Sequence, residues 1–86
     1  MTRADRTLAR MRANPRDWRI GDVEAVCRRH GLVVTPPKRG SHYKVRHPGA
    51  PDILTIPADR PVKPVYIRKL VELIDATQGK GHEDPR

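Results

Sequence analysis

Prolines and glycines divide the middle of this chain into short segments, and this constrains the fold more than any other feature. Most of the nine prolines lie between residues 36 and 64. Proline lacks the backbone N–H that a helix interior or a central strand needs, so only short elements fit between these positions. The segments 32–35, 41–47 and 52–57 are β-branched or alternate in polarity. They predict three short strands in an antiparallel meander.

A helix is predicted on each side of this meander, because two segments repeat apolar residues at the three- and four-residue spacing of a helix. In the first, which ends at Gly31, the stripe is Val23, Val26, Cys27 and His30. In the second, which begins near Pro64, the stripe is Ile67, Leu70, Val71 and Ile74. Both stripes need a surface to cover, and one face of the sheet supplies it. The sequence therefore predicts an α+β fold of order α-β-β-β-α.

The chain has 86 residues, which predicts one domain with a modest core. We expect that domain to occupy residues 18–76. Residues 1–17 are expected to form a basic N-terminal helical extension, because apolar residues recur at helical spacing among arginines until Asn14-Pro15. Residues 77–86 are polar, and a disordered tail is expected there.

The charge of the chain favours an anionic partner. The formal net charge is +8 at pH 7, and nucleic acid is the commonest partner of so basic a surface. The single cysteine, Cys27, excludes an internal disulfide and fits a reducing compartment. No apolar run has the length of a signal peptide or a membrane span, so we expect a cytoplasmic protein that does not bind membranes.

The middle strand concentrates this charge on one face. Side chains alternate along a strand, so Tyr43 and Val45 are expected beneath the helices. The face away from the helices then carries His42, Lys44 and Arg46. Residues 25–51 contain no aspartate or glutamate, and a field of one sign concentrates a polyanion.

This row of side chains suits the cleavage of RNA, which brings its own nucleophile, the 2′-hydroxyl. His42 is suited to proton transfer near neutral pH, and Lys44 and Arg46 suit the phosphoryl charge. Gly40 lets a nucleic-acid backbone approach closely. A metal site is not expected, because His42 and His47 lie on opposite strand faces with no carboxylate nearby. No cofactor is expected either.

Other interpretations remain open from the residues alone. A histidine on a basic strand is more often a binding or solvated residue than a catalyst. The protein is then a non-catalytic RNA-binding module, or its basic face serves to pair with an acidic protein partner. His47 falls on the Tyr43 face and is expected to be structural, and His30 is expected to cap its helix.

The stretch GSHYKVRHP, followed by ILTIPADRPVKPVYIRKLVELID, resembles the HicA-type toxins of bacterial toxin–antitoxin systems. The resemblance covers about residues 18–76. The features that carry it are Gly40-Ser41-His42, Arg46 with His47-Pro48, Ile56-Pro57 and Lys63-Pro64. Two features depart from the family pattern. Tyr43 stands where many members have a second histidine, and the basic segment 1–17 exceeds the minimal pattern.

The resemblance implies a double-stranded-RNA-binding-like fold and the activity of an mRNA interferase, a metal-independent endoribonuclease. It implies that His42 is the catalytic general acid/base. The residues expected to bind RNA around it are Lys38, Arg39, Gly40, Ser41, Lys44, Arg46 and Lys63. The partners it implies are mRNA and a HicB-type antitoxin that covers His42.

Overall fold

Three helices and one three-stranded sheet make up this protein, whose computed structural model describes the backbone of residues 3–83 and the side chains of residues 5–77. The elements are α1 (Arg3–Ala13), α2 (Ile20–Arg29), β1 (Val33–Thr35), β2 (His42–Arg46), β3 (Ile53–Pro57) and α3 (Pro64–Glu83). The fold is α+β, as predicted, and the order from α2 to α3 is the predicted α-β-β-β-α.

The three strands pair as the predicted antiparallel meander, in the order β1-β2-β3. Lys44 of the central strand faces Thr35 of β1 and Thr55 of β3. Past the end of the ladder, the backbone N–H of Ala58 donates to the carbonyl oxygen of Ser41 at 2.7 Å. This bond extends the β2–β3 pairing by one residue pair and holds the chain just before His42.

The core lies between the sheet and the helices α2 and α3. The sheet contributes Val45 and Ile56, both fully buried. Three of the four predicted stripe residues of α2 and all four of α3 join them: Val23, Val26 and Cys27, then Ile67, Leu70, Val71 and Ile74. Full burial of one Val or Ile side chain contributes about 1.5–3 kcal/mol. Aliphatic packing therefore holds both helices on one face of the sheet.

Helix α1 belongs to the same core and packs on α2 and α3. Its apolar residues Leu8 and Met11 are buried, with 7% and 1% of their surface exposed. Arg12 forms an ion pair with Asp75 of α3. The N-terminal segment is helical, as predicted, and Leu8 and Met11 belong to the hydrophobic cluster formed by the described residues.

The linker between α1 and α2 is tied to the loop between β3 and α3. The backbone N–H of Val62 donates to the carbonyl oxygen of Trp18 at 2.8 Å. The indole Nε1–H of Trp18 donates to the carbonyl oxygen of Asn14 at 2.7 Å, and the guanidinium of Arg10 lies 5.6 Å from the indole centroid. These contacts fix the exit of α1 against the domain.

Helix α3 is longer than predicted. A disordered tail was expected over residues 77–86, but the backbone is helical to Glu83, and residues 84–86 lie outside the described part. The Thr77 hydroxyl donates to the carbonyl oxygens of Leu73 and Ile74. Adding a residue to an existing helix gains one hydrogen bond, so the helix continues through a polar stretch.

Within residues 3–83, no helix is both long and apolar enough to cross a membrane.

Candidate nucleic-acid interface

The sheet face opposite the helices is exposed, and we call it the open face. It is formed by alternate residues of the three strands: Val33, Thr35, His42, Lys44, Arg46, Ile53 and Thr55, all exposed, with the partly exposed Pro57. The burial of β2 alternates, with Val45 buried and Tyr43 half-buried on the helix side. The prediction that His42, Lys44 and Arg46 share the uncovered face is confirmed.

The strand register arranges the open face into three cross-strand rows, about 7 Å apart along β2. In the first row, His42 lies opposite Pro57 of β3. In the second row, Lys44 lies between Thr35 and Thr55. The second row therefore combines one ammonium group with two hydroxyls, which are donors that suit phosphate oxygens.

The third row differs from the second in chemistry. Arg46 lies between Val33 of β1 and Ile53 of β3. Both aliphatic side chains are exposed, at 38% and 57% of their surface. A guanidinium is thus flanked by apolar groups on both sides.

A groove of about 600 Å³ runs beside His42, and we call it the basic groove. It is lined by Thr35, Pro36, Pro37, Lys38, Arg39, His42 and Lys44. The groove lies where the β1–β2 loop turns back toward the open face. It brings together three of the predicted RNA-binding residues, Lys38, Arg39 and Lys44, with the predicted catalytic residue.

The remaining predicted residues lie around the groove. Gly40 has a φ of 80°, a left-handed conformation that glycine adopts without strain, and it makes the predicted turn before β2. Ser41 is exposed and accepts the hydrogen bond from Ala58. Lys63 is exposed before α3, where its carbonyl oxygen accepts hydrogen bonds from the N–H groups of Tyr66 and Ile67. It is not among the residues that line the groove.

The cations of the open face and the basic groove are not neutralised by protein carboxylates. Within residues 5–77, every ion pair involves Asp5 or Asp75, on α1 and α3. Among the side chains described, Lys38, Arg39, Lys44 and Arg46 form no ion pair or hydrogen bond. Their charge is therefore available to an external anion.

The other histidines have structural partners. The backbone N–H of Gly49 donates to Nδ1 of His47 at 2.9 Å, and the N–H of Ala50 donates to the His47 carbonyl oxygen at 3.0 Å. His47 therefore closes the β2–β3 turn, in agreement with its predicted structural role. His30 caps α2, as predicted, and its Nε2 also lies 3.5 Å from the carboxylate of Asp5 in α1. The side chain of His82 lies outside the described residues.

Cys27 is a core residue, as the sequence predicted. Its side chain is fully buried in the hydrophobic cluster. Desolvation, with a smaller contribution from the charge of Glu24, raises the pKa of the Cys27 thiol to about 12. The thiol is therefore neutral and packs as a small apolar group.

In residues 5–77, no three His, Cys, Asp or Glu side chains are grouped closely enough to hold a metal ion.

Sequence reasoning missed the neighbours that the register brings to the cations. Thr35 and Thr55 flank Lys44, and Pro36 and Pro37 line the basic groove. Strand alternation places each threonine on one of two faces. The sequence does not specify which residue of the next strand it meets, because register depends on turn geometry.

No protein-family model, curated protein or solved structure matches this chain. The fold and the site define a structural class. Its members are small α+β proteins in which helices cover one face of a three-stranded antiparallel sheet and the other face is cationic.

Proposed function

We propose that this protein is a HicA-type mRNA interferase, the toxin of a toxin–antitoxin pair, which cleaves mRNA in the cytoplasm without a metal ion. One observation carries the proposal. An exposed imidazole, that of His42, lies in a groove with Lys38, Arg39 and Lys44, and no described carboxylate pairs with these cations. This combination provides a proton-transfer group within an anion-binding surface.

The proposed reaction is attack of a ribose 2′-oxygen on the adjacent phosphorus. The new bond joins the 2′-oxygen to phosphorus, and the bond from phosphorus to the 5′-oxygen breaks. His42 accepts the 2′-hydroxyl proton and, as imidazolium, returns it to the leaving 5′-oxygen. Lys44, with the hydroxyls of Thr35 and Thr55 beside it, balances the charge on the phosphoryl oxygens. The products carry a 2′,3′-cyclic phosphate and a 5′-hydroxyl.

The fold supports this proposal in its order of elements. From α2 to α3 the chain runs α-β-β-β-α, which is the order of the double-stranded-RNA-binding-like fold proposed here. A HicB-type antitoxin that presents acidic groups to the open face would neutralise the same cations that bind RNA. Inhibition and substrate binding then compete for one surface.

The second candidate is a non-catalytic RNA-binding module of the same fold. It is favoured by the composition of the open face, where His42 is the only histidine. Tyr43, next in sequence, is half-buried on the helix side. Proteins that bind RNA through phosphates and 2′-hydroxyls need no catalytic group.

The test compares the purified wild type with His42→Ala on an end-labelled oligoribonucleotide in the presence of a chelator. We expect wild type to give the cyclic-phosphate product, and His42→Ala to lose cleavage at least 100-fold, on the order expected for a general acid/base. RNA affinity should change by less than about threefold, because one neutral side chain contributes little to phosphate binding.

Arg6→Ala is the matched control, because Arg6 is an exposed cation of α1 rather than of the open face. It should cleave as wild type does. Equal cleavage by His42→Ala and wild type would rule out catalysis by His42. Tight binding by both proteins without cleavage would establish the RNA-binding module instead.

A further inference from the structure

The third row of the open face carries chemistry that phosphate binding does not use. Three large aliphatic side chains are exposed in the described part of the chain: Val33, Ile53 and Val65. Single exposed aliphatics are normal on protein surfaces. Here two of the three lie in one row, on either side of Arg46. The row therefore forms an apolar platform with a planar cation at its centre.

A nucleobase fits such a platform better than a phosphate does. A base has an apolar planar face and a polar edge, and unpaired bases stack on arginine guanidinium planes as well as on aromatic rings. The chain has three aromatic residues, and none is on the open face. Trp18 is in the α1–α2 linker, while Tyr43 and Tyr66 are half-buried. The planar side chains of the open face are therefore those of His42, which has the proposed role in proton transfer, and Arg46, which is left for stacking.

The distance from the first row sets which base reaches the platform. Arg46 is four residues from His42 along β2, or about 13 Å in a strand. Lys44 and its two threonines lie between them and hold the phosphoryl group that is cleaved in the proposed function. A strand of RNA that follows β2 therefore places a nucleotide further along the RNA, on one side of the cleaved bond, over the third row.

We propose that Arg46, Val33 and Ile53 form a nucleobase subsite, which holds an unpaired base about two nucleotides from the cleaved bond. This inference rests on the proposed function and adds to it a requirement on the substrate. The RNA must be single-stranded at that nucleotide, because a paired base is stacked within its own helix. It must also extend that far from the cleaved bond.

The test uses oligonucleotides with a single ribose at the position to be cleaved and an abasic site moved one nucleotide at a time along both sides. For wild type we expect kcat/KM to fall about tenfold when the abasic site is about two nucleotides from the bond on one side. At the other positions the loss should be smaller. If the loss does not depend on the position of the abasic site, the inference is overturned.

The double variant Val33→Thr/Ile53→Thr removes the apolar groups and keeps β-branched residues that suit a strand. On the intact oligonucleotide, kcat/KM of the double variant should be about tenfold lower than that of wild type. On the abasic oligonucleotide the two proteins should have equal kcat/KM, since neither then has a base to stack. Val65→Thr, which alters the exposed aliphatic of α3, should match wild type. If the double variant unfolds, Arg46→Lys replaces it, because it keeps the charge and removes the plane.

Three outcomes separate the inference from the proposed function. If wild type cleaves no oligonucleotide, the proposed function is wrong, and the abasic series is then read as binding affinity by fluorescence anisotropy, with the same tenfold loss expected. If wild type cleaves but the double variant keeps its full sensitivity to the abasic site, the subsite is wrong. A double variant with unchanged RNA cleavage and weakened binding to a protein inhibitor also overturns it, and assigns the platform to protein contact.

Discussion

The three histidines with described side chains differ in what occupies their ring nitrogens. His47 accepts a hydrogen bond at Nδ1 from the turn that it closes. His30 lies at ion-pair distance from Asp5. His42 is exposed and has no hydrogen bond or ion pair among the described residues. Both nitrogens of His42 are therefore available to an external group, which is a condition for its proposed role.

The buried thiol of Cys27 provides a test of the core at the level of one residue. Because the pKa of Cys27 is raised to about 12, about one thiol in ten thousand is ionised at pH 8, and the thiolate is the reactive form. We expect native protein to resist iodoacetamide at pH 8 and denatured protein to react completely, as measured by mass spectrometry. Rapid labelling of native protein would show that α2 opens from the rest of the core.

The same pKa shift predicts how stability depends on pH. The folded-state pKa of Cys27 lies above the ordinary value of 9.0, so its contribution is complete below about pH 9 and is lost as pH rises toward 12. The difference in unfolding free energy between wild type and Cys27→Ala should therefore narrow above pH 9 in denaturant titrations. A difference that stays constant to pH 11 would contradict the burial of the thiol.

At the scale of elements, α1 shows what tertiary contacts add to a weak local signal. A basic helix of 11 residues is marginal by itself in water. Leu8 and Met11 bury it against α2 and α3, and the Trp18–Val62 hydrogen bond fixes the linker that follows. The helix could be predicted from its spacing. Its docking could not, because the partners are distant in sequence.

Two substitutions in α1 distinguish its apolar contact from its ion pair. Met11→Ala should lower the free energy of unfolding by about 2–4 kcal/mol, because it leaves a cavity at a fully buried position. Arg12→Ala should cost less than about 1 kcal/mol, because Arg12 and Asp75 are both about half exposed and solvent screens the pair. Chemical denaturation measures both. A small effect of Met11→Ala would mean that α1 is not part of the cooperative core.

The limits of sequence prediction follow the same division between local and distant contacts. Alternation along β2 was sufficient to place His42, Lys44 and Arg46 on one face, because side-chain direction in a strand depends only on neighbouring residues. The residues beside them, Thr35 and Ile53 among others, depended on register. The end of α3 was also missed, because helix continuation depends on the preceding turns as well as on the composition of the tail.

At the scale of the whole molecule, the described acidic residues lie in the helices and loops, and none is on the open face or lines the basic groove. The carboxylates that form ion pairs within residues 5–77 are on α1 and α3, whereas the open face has cations without such partners. The net charge of +8 is therefore not distributed evenly over the surface. A polyanion should approach the open face in preference to the helical side.

This asymmetry predicts the salt dependence of RNA binding. Neutralising one phosphate contributes a slope of about 0.7 to the plot of log affinity against log salt for a single strand. Lys44→Ala should reduce the measured slope by about that amount, and Arg6→Ala on α1 should leave it unchanged. Fluorescence anisotropy over a range of salt concentrations measures both. Equal reductions by the two variants would indicate binding without a preferred face.

The Ala58–Ser41 hydrogen bond has a consequence for how this protein behaves at high concentration. In an antiparallel ladder, backbone groups point alternately toward the partner strand and away from it, so this bond directs the backbone of Thr55 and Pro57 outward. On the other side of the sheet, Val34 of β1 points outward by the same alternation, and Pro36 follows the end of that strand. β3 thus ends in a proline and β1 is followed directly by one, and neither residue offers an N–H to an incoming chain. Two prolines interrupt the edges along which sheets of neighbouring molecules would otherwise join and aggregate.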